Sequence, residues 1–434
     1  MVRADCNGRA RGAGLTMLAA LRQRNFALLW LGGLISLTGD WVLITALPFY
    51  LYGRTGSALA TSAWLMAYLL PAALLGSVAG VFVDRWDRRR TMIACNLARG
   101  TLLPLLLVAQ VADALWIFYV VAVCQAALGA FFGPAENALL PTLVSEAQLV
   151  PANALNALNN NLARLIGPPL GGVLFGLNGL PGVVLADSAS FLIGGALIAL
   201  VALSPPPARP PEIPPTPDAR TTWDAAWRDW LGGLGLIRRE RLIAAVFAVV
   251  GIATFADSMN SALLVPFVDT VLGAGAQSFG WLLTVQALGG LLASAAIGRV
   301  ERMLSPVRLL AFSLIGIGLM SLMLVAFPSL TLALAFSALG GVPAVGYQVG
   351  MQTLLQRGVA DAYRGRIFGA LDTTNALLRL GGLGLAGGLG DVIGILPTLW
   401  VMGGLRGLAG VVALLAVPPS ASPAGAPSPT PRAE

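Results

Sequence analysis

The chain has 434 residues, of which 57% are hydrophobic and only 11% charged, and its mean hydropathy is +0.80. That leaves too little polar surface to clothe a water-soluble globule, so the solvent for most of the chain is lipid. All 27 basic residues are arginine and histidine is absent. Any proton relay must then use carboxylates or water, and a phosphate-binding loop of the kind that needs a lysine is excluded, so the chain by itself cannot be ATP-driven.

Hydrocarbon offers no partner to a free backbone group, which restricts spans to helices or closed barrels; unalternated runs such as Leu102 to Val111 choose helices. The net charge of +7 sits on arginines in short loops, which is a topology signal and argues against nucleic acid. Cys6, Cys95 and Cys124 have no metal-ligand spacing, and neither a metal nor a cofactor is expected.

In chain order, residues 1–24 form a basic cytoplasmic tail, with Met1 or Met17 as the start. The apolar stretch that follows is longer than the about 7 to 15 residues of a signal-peptide core, so it is expected to stay attached. At about 20 apolar residues per crossing, residues 25–203 form a first six-helix bundle with spans near 26–51, 57–83, 91–111, 115–135, 154–177 and 183–203. A cytoplasmic linker, 204–240, begins with a Pro-rich run too stiff and solvated to pack a core. Beyond that run, Trp223, Trp227 and Trp230 recur at helical spacing beside Arg228 and Asp229, a helix lying either in the headgroup layer or in water. Residues 241–417 form a second six-helix bundle with spans near 242–268, 279–300, 307–326, 329–352, 367–389 and 395–417, and 418–434 form an unstructured tail. The chain is thus expected to be an all-α integral membrane protein of twelve helices in the inner membrane. Arginines cluster in alternate loops, with little beyond Arg54 opposite, so both termini are expected in the cytoplasm.

The two halves repeat. Asp40 and Asp257 each follow a boundary arginine, Arg24 or Arg241, by sixteen residues, and each precedes a Pro-Phe pair; their offset is 217. Asn160-x-x-x-Arg164-Leu165-x-Gly167 returns as Asn375-x-x-x-Arg379-Leu380-x-Gly382 at an offset of 215. Parallel repeats of this size place a substrate site between halves near mid-bilayer. Asp40 lies roughly 21 Å along its helix from the cytoplasmic end and Asp257 about as deep, too far in to snorkel. Arg164 and Arg379 are also near mid-depth, so the expected pairs are Asp40 with Arg164 and Asp257 with Arg379, serving proton coupling or merely holding helices together. Glu136, at the cytoplasmic end of the fourth span, is a gate, substrate or coupling candidate, or a simple interfacial charge. Arg99 needs a carboxylate or backbone partner and is assigned a structural role; Asp187 and Arg406 are assigned to local scaffolding. Gln286 and Tyr347 are cavity candidates by depth.

The loop Gly80-Val81-Phe82-Val83-Asp84-Arg85-Trp86-Asp87-Arg88-Arg89-Arg90 resembles the cytoplasmic signature of the major facilitator superfamily. The resemblance implies that this loop latches the halves, with Asp84 facing the start of the eleventh helix. Gly167-Pro168-Pro169-Leu170-Gly171-Gly172 in the fifth span is similar to the pattern that marks antiporting exporters of that superfamily. Three further stretches resemble its drug and siderophore exporter branch, which includes enterobactin exporters and macrolide-efflux proteins. These are Pro134-Ala135-x-x-Ala138-Leu139-Leu140-Pro141 with Ala152-Asn153-Ala154-Leu155, then Asp187-x-x-Ser190-Phe191, and Gln356 with Arg364-Gly365-Arg366. Where relatives in that branch usually carry an arginine after the Pro-Ala, this chain has Glu136-Asn137, so substrate preference does not carry over. The resemblance implies a non-enzymatic, monomeric exporter of amphipathic small molecules, driven by protons through alternating access. An uptake symporter of the same fold is the alternative, and a non-transporting membrane sensor a more distant one.

Overall fold

The computed structural model describes residues 20–202, 241–358 and 361–417, apart from the side chains of 77–78, 241, 357–358 and 361–366. The expected Trp-bearing linker helix, residues 1–19 of the expected N-terminal tail and the C-terminal tail lie outside the described residues.

The helices are α1 (Arg24–Thr55), α2 (Ala58–Val83), α3 (Arg88–Leu102), α4 (Leu105–Val111), α5 (Leu115–Leu139), α6 (Leu149–Ala199), α7 (Arg241–Pro266), α8 (Ala276–Met303), α9 (Pro306–Ala326), α10 (Leu330–Gly358), α11 (Asp361–Val392) and α12 (Ile395–Ala416). These labels are not the spans. Pro104 has no N–H to give the helical ladder, so α3 and α4 are two pieces of the third span. At about 1.5 Å per residue, α6 is more than twice as long as a bilayer is thick, and it bends at Gly179 (φ 62°, ψ −157°), a backbone region essentially reserved for glycine. It therefore supplies the fifth and sixth spans. Among the described residues, ten helices are long and apolar enough to cross a membrane, one of them the stretch Glu146–Ala199. Counting that one twice gives eleven crossings; α11 is not among the ten, so by this measure the expected count of twelve is approached and not reached.

Local chemistry sets the helix ends. Ser57 caps α2 by accepting from the Ala60 N–H at 3.1 Å, and Asp87 caps α3 by accepting from the Arg90 N–H at 2.7 Å. Pro306 opens α9 in the first turn, where a missing N–H costs nothing.

Two compact units divide the chain: Met1–Trp223 with Val268–Thr284, and Asp224–Phe267 with Val285–Glu434. In the first, α1 packs chiefly on α6, and the core gathers Leu47, Trp64, Leu106, Phe118 and Phe191. In the second, α7, α9, α11 and α12 enclose Val250, Leu310, Leu314 and Ile367. Neither unit gains a hydrophobic driving force between helices in lipid, so close approach of small residues does the holding. A Cβ on Gly171 would stand 2.6 Å from the Val42 carbonyl oxygen of α1, and one on Gly167 would stand 2.3 Å from the Trp41 Cβ. Gly171→Ala is expected to lower the melting temperature of the detergent-solubilised protein. Gly176→Ala, with nothing within 4 Å of the new methyl, is expected to leave it unchanged.

Candidate functional site: a charge pair in each unit

Successive residues of α1 point about 100° apart, and this separates three neighbours. Gly39 faces the sixth span, where a Cβ would meet Ser190 Oγ at 2.0 Å and Asp187 Oδ1 at 2.4 Å. Trp41 faces the fifth span through Gly167. Asp40, between them, faces α3.

There Arg99 Nη2 donates to Asp40 Oδ1 at 2.6 Å, with the two side chains only 7% and 15% exposed. Arg99 Nε donates to Gln125 Oε1 at 2.8 Å, and Gln125 Nε2 donates back to the Arg99 carbonyl at 2.9 Å. The guanidinium also lies 4.1 Å from the centre of the Phe191 ring. Planar, delocalised and always charged, arginine alone among side chains could satisfy these three partners together. A hollow beside Asp40, lined by Trp64, Tyr68, Phe118 and Gln125, has room for one water at most.

The expected Asp40–Arg164 pair does not form. Arg164 is exposed, its guanidinium 5.9 Å from the Trp41 ring centre. Depth matches Arg164 to Asp40, but rotation about the helix axis turns them toward different neighbours. The second unit repeats the correction. Asp257 pairs with Arg406, Nη2 to Oδ1 at 2.6 Å, and Arg406 Nη1 donates to Ser321 Oγ of α9 at 2.9 Å. Arg379 is exposed and does not pair with Asp257. Beside this pair, Asn375 accepts from Thr254 Oγ1 at 3.1 Å, and Tyr347 lies within reach of Thr254, Asp257 and Arg406. Gln286 is half-buried on α8, where its carbonyl closes on Gly341 of α10.

Glu136 is half-buried against α1, its Oε1 3.4 Å from where a Gly33 Cβ would stand, and among the described residues no arginine pairs with it. In the signature loop, Arg88 Nη1 donates to the Ala138 carbonyl at 3.0 Å. Arg89 donates from Nε to the Ile198 carbonyl at 3.2 Å and from Nη2 to that of Ala199. These arginines thus tie the negative ends of the fourth and sixth spans. Gly80, Asp84 and Arg85 are on the same loop, Asp84 and Arg85 exposed. The side chains at the start of α11 that would face Asp84 lie outside the described residues. Of the exporter-type motif, Gly167 and Gly171 pack on α1, while Pro168 and Gly172 meet the segment 276–280.

Sequence reasoning passed over Gln125 and Tyr68 and assigned Arg99, Arg406 and Asp187 to scaffolding. A signal for Arg99 was present: a lone arginine inside an apolar span must find a carboxylate within the length of its own side chain.

The Major Facilitator Superfamily profile matches the chain twice, at residues 29–256 and 246–434. The uncharacterised MFS-type transporter YfiS of Bacillus subtilis is 27% identical over 400 residues, 88% of this chain and 90% of that one. Macrolide efflux protein A of Streptococcus pyogenes is 25% identical, over 85% of this chain and 90% of its own. Multidrug efflux pump Tap of Mycolicibacterium fortuitum is 27% identical, over 87% and 91%. Among solved structures, a variant of the nucleoside transporter NupG superposes with a TM-score of 0.72 at 12% identity, over 90% of this chain and 99% of that one. A bacterial homologue of the iron transporter ferroportin superposes with a TM-score of 0.70 at 17% identity, over 91% and 98%.

Proposed function

Because the chain belongs to the Major Facilitator Superfamily, a family of membrane transporters for small molecules, we propose that it exports amphipathic small molecules in exchange for protons, by alternating access. The observation that carries this reading is the Asp40–Arg99 pair, almost wholly buried in the first unit. A buried ion pair is poor value as glue, since apolar residues of the same volume usually stabilise as well or better. A carboxylate held by a guanidinium beside a water-sized hollow is suited instead to taking up and releasing a proton as its surroundings change. That hollow is far too small for a drug-sized molecule, so Asp40 serves the proton and substrate binds elsewhere. Asp257, whose side chain is 54% exposed beside Arg406, is the second coupling candidate. Glu136, half-buried and unpaired among the described residues, is the third, and its charge also suits a cationic cargo.

The export direction draws support from the glycine and proline pattern of the fifth span and from the relatives called macrolide efflux protein A and multidrug efflux pump Tap. The protein resides in the inner membrane as a monomer with both termini in the cytoplasm. The membrane potential supplies about 2.3 kcal/mol per charge per 100 mV, enough for one or two protons to sustain a useful gradient.

The test uses inverted vesicles from cells that express the full chain, with a radiolabelled macrolide as probe. Acid-inside vesicles are expected to accumulate the probe, and Asp40→Asn to lower that accumulation at least tenfold. Equal accumulation by Asp40→Asn and Asp257→Asn with an unchanged pH dependence would dispose of the coupling reading. Probe moving only outward from such vesicles would reverse the direction.

A further inference from the structure

Asp187, the first residue of the Asp-x-x-Ser-Phe stretch, has a surrounding that scaffolding does not explain. The residue is 0% exposed. Among the described residues its Oδ1 accepts only a long hydrogen bond, 3.3 Å, from Ser190 Oγ, and its Oδ2 has no hydrogen-bond partner. Against it stand Gly39 and Asp40 from α1, Tyr68 from α2 and Arg99 from α3, and around Arg99 in turn stand Cys95 of its own helix and Gln125 from α5. The titratable groups of that set are Asp40, Tyr68, Cys95 and Arg99. Only one of them is a cation, and Asp40 already holds it at 2.6 Å.

The count of charges is therefore two carboxylates to one guanidinium. Arg99 stays charged at any attainable pH. With both carboxylates ionised, the cluster would bury a net negative charge, one of its oxygens without a donor among the described residues, in the interior of the unit. One proton added to either carboxylate makes the cluster neutral. The second unit needs no such proton, because Asp257 meets Arg406 one to one. When Leu180-Pro181 is laid on Leu396-Pro397, the position matching Asp187 is Gly403. Arg406 lies one turn further along the same helix, so the twelfth helix brings a cation where the sixth brings a carboxylate.

We propose that Asp40 and Asp187 share one dissociable proton across Arg99, which makes Asp187 a proton-carrying residue of the first unit. The proposal deepens the coupling reading by naming a second carboxylate at the same site. It rests on the charge count within one unit and does not depend on direction or cargo.

The test is infrared spectroscopy of the full-length protein in lipid nanodiscs at neutral pH without substrate. The readout is the carbonyl-stretch band of protonated carboxylic acids, taken as differences between variants. The wild type is expected to show one acid-equivalent from this cluster. Asp187→Asn removes it, and Asp40→Asn also removes it, because the remaining carboxylate ionises to match Arg99. Arg99→Gln doubles it. A band that survives Asp187→Asn, a band unmoved by Asp40→Asn, or an amplitude unchanged in Arg99→Gln would each overturn the sharing. The wild type alone also decides: absence of any buried-acid band at every pH refutes the proposal even if the variants fail to fold. Because no transport is measured, failure here is distinguishable from failure of the vesicle experiment.

Discussion

Arg99→Gln is expected to destabilise the protein by about 3 to 5 kcal/mol, the range for removing one partner of a buried ion pair. The guanidinium serves Asp40, Gln125 and the Phe191 face at once, and glutamine replaces none of its charge. Adding Asp40→Asn to Arg99→Gln is expected to recover part of that loss, because one buried carboxylate fewer is then left without its cation, Asp187 remaining. Arg406→Gln is expected to cost less, since its partner Asp257 is 54% exposed against 15% for Asp40 and solvent screens what remains. Denaturant unfolding of the purified protein in detergent, followed by tryptophan fluorescence, measures all three. An Arg99→Gln variant as stable as wild type would mean that the guanidinium holds nothing together.

Gly289→Leu is expected to have the next largest effect. A Cβ there would stand 1.9 Å from the Ala338 carbonyl oxygen, and one on Gly341 would stand 2.2 Å from that of Gln286. In both cases the obstacle is backbone, which cannot rotate away as a side chain could, so α8 and α10 must separate. Overpacking of this kind costs about 1 to 3 kcal/mol, and more where the whole crossing is built on two glycines. Gly298→Ala, on the same helix with open space around it, is the control that should melt with the wild type. A Gly289→Leu protein with native melting temperature and transport would show that the crossing yields.

Which parts of this molecule could be read without coordinates follows from what is local and what is not. The need to satisfy every backbone group in hydrocarbon acts within a window of about 20 residues. Composition and apolar runs therefore located the spans, the Asp40/Asp257 repeat exposed the two halves, and the loop from Gly80 to Arg90 pointed to the superfamily whose profile matches. The depth of a charge in its helix is equally local, a matter of counting residues, and it singled out Asp40 and Asp257, each of which holds an arginine.

Partner choice was not local. It depends on the azimuth of each side chain and on which helix stands opposite, and those are set by packing between segments far apart in sequence. So it is Arg99 that meets Asp40, 59 residues away, and Arg406 that meets Asp257, 149 residues away, while Arg164 and Arg379 point elsewhere at a suitable depth. The same reason hid Asp187. Nothing in its own helix distinguishes a scaffolding carboxylate from one pressed against Gly39 beside an arginine that is already taken, because the charge count belongs to three helices and not to any one of them.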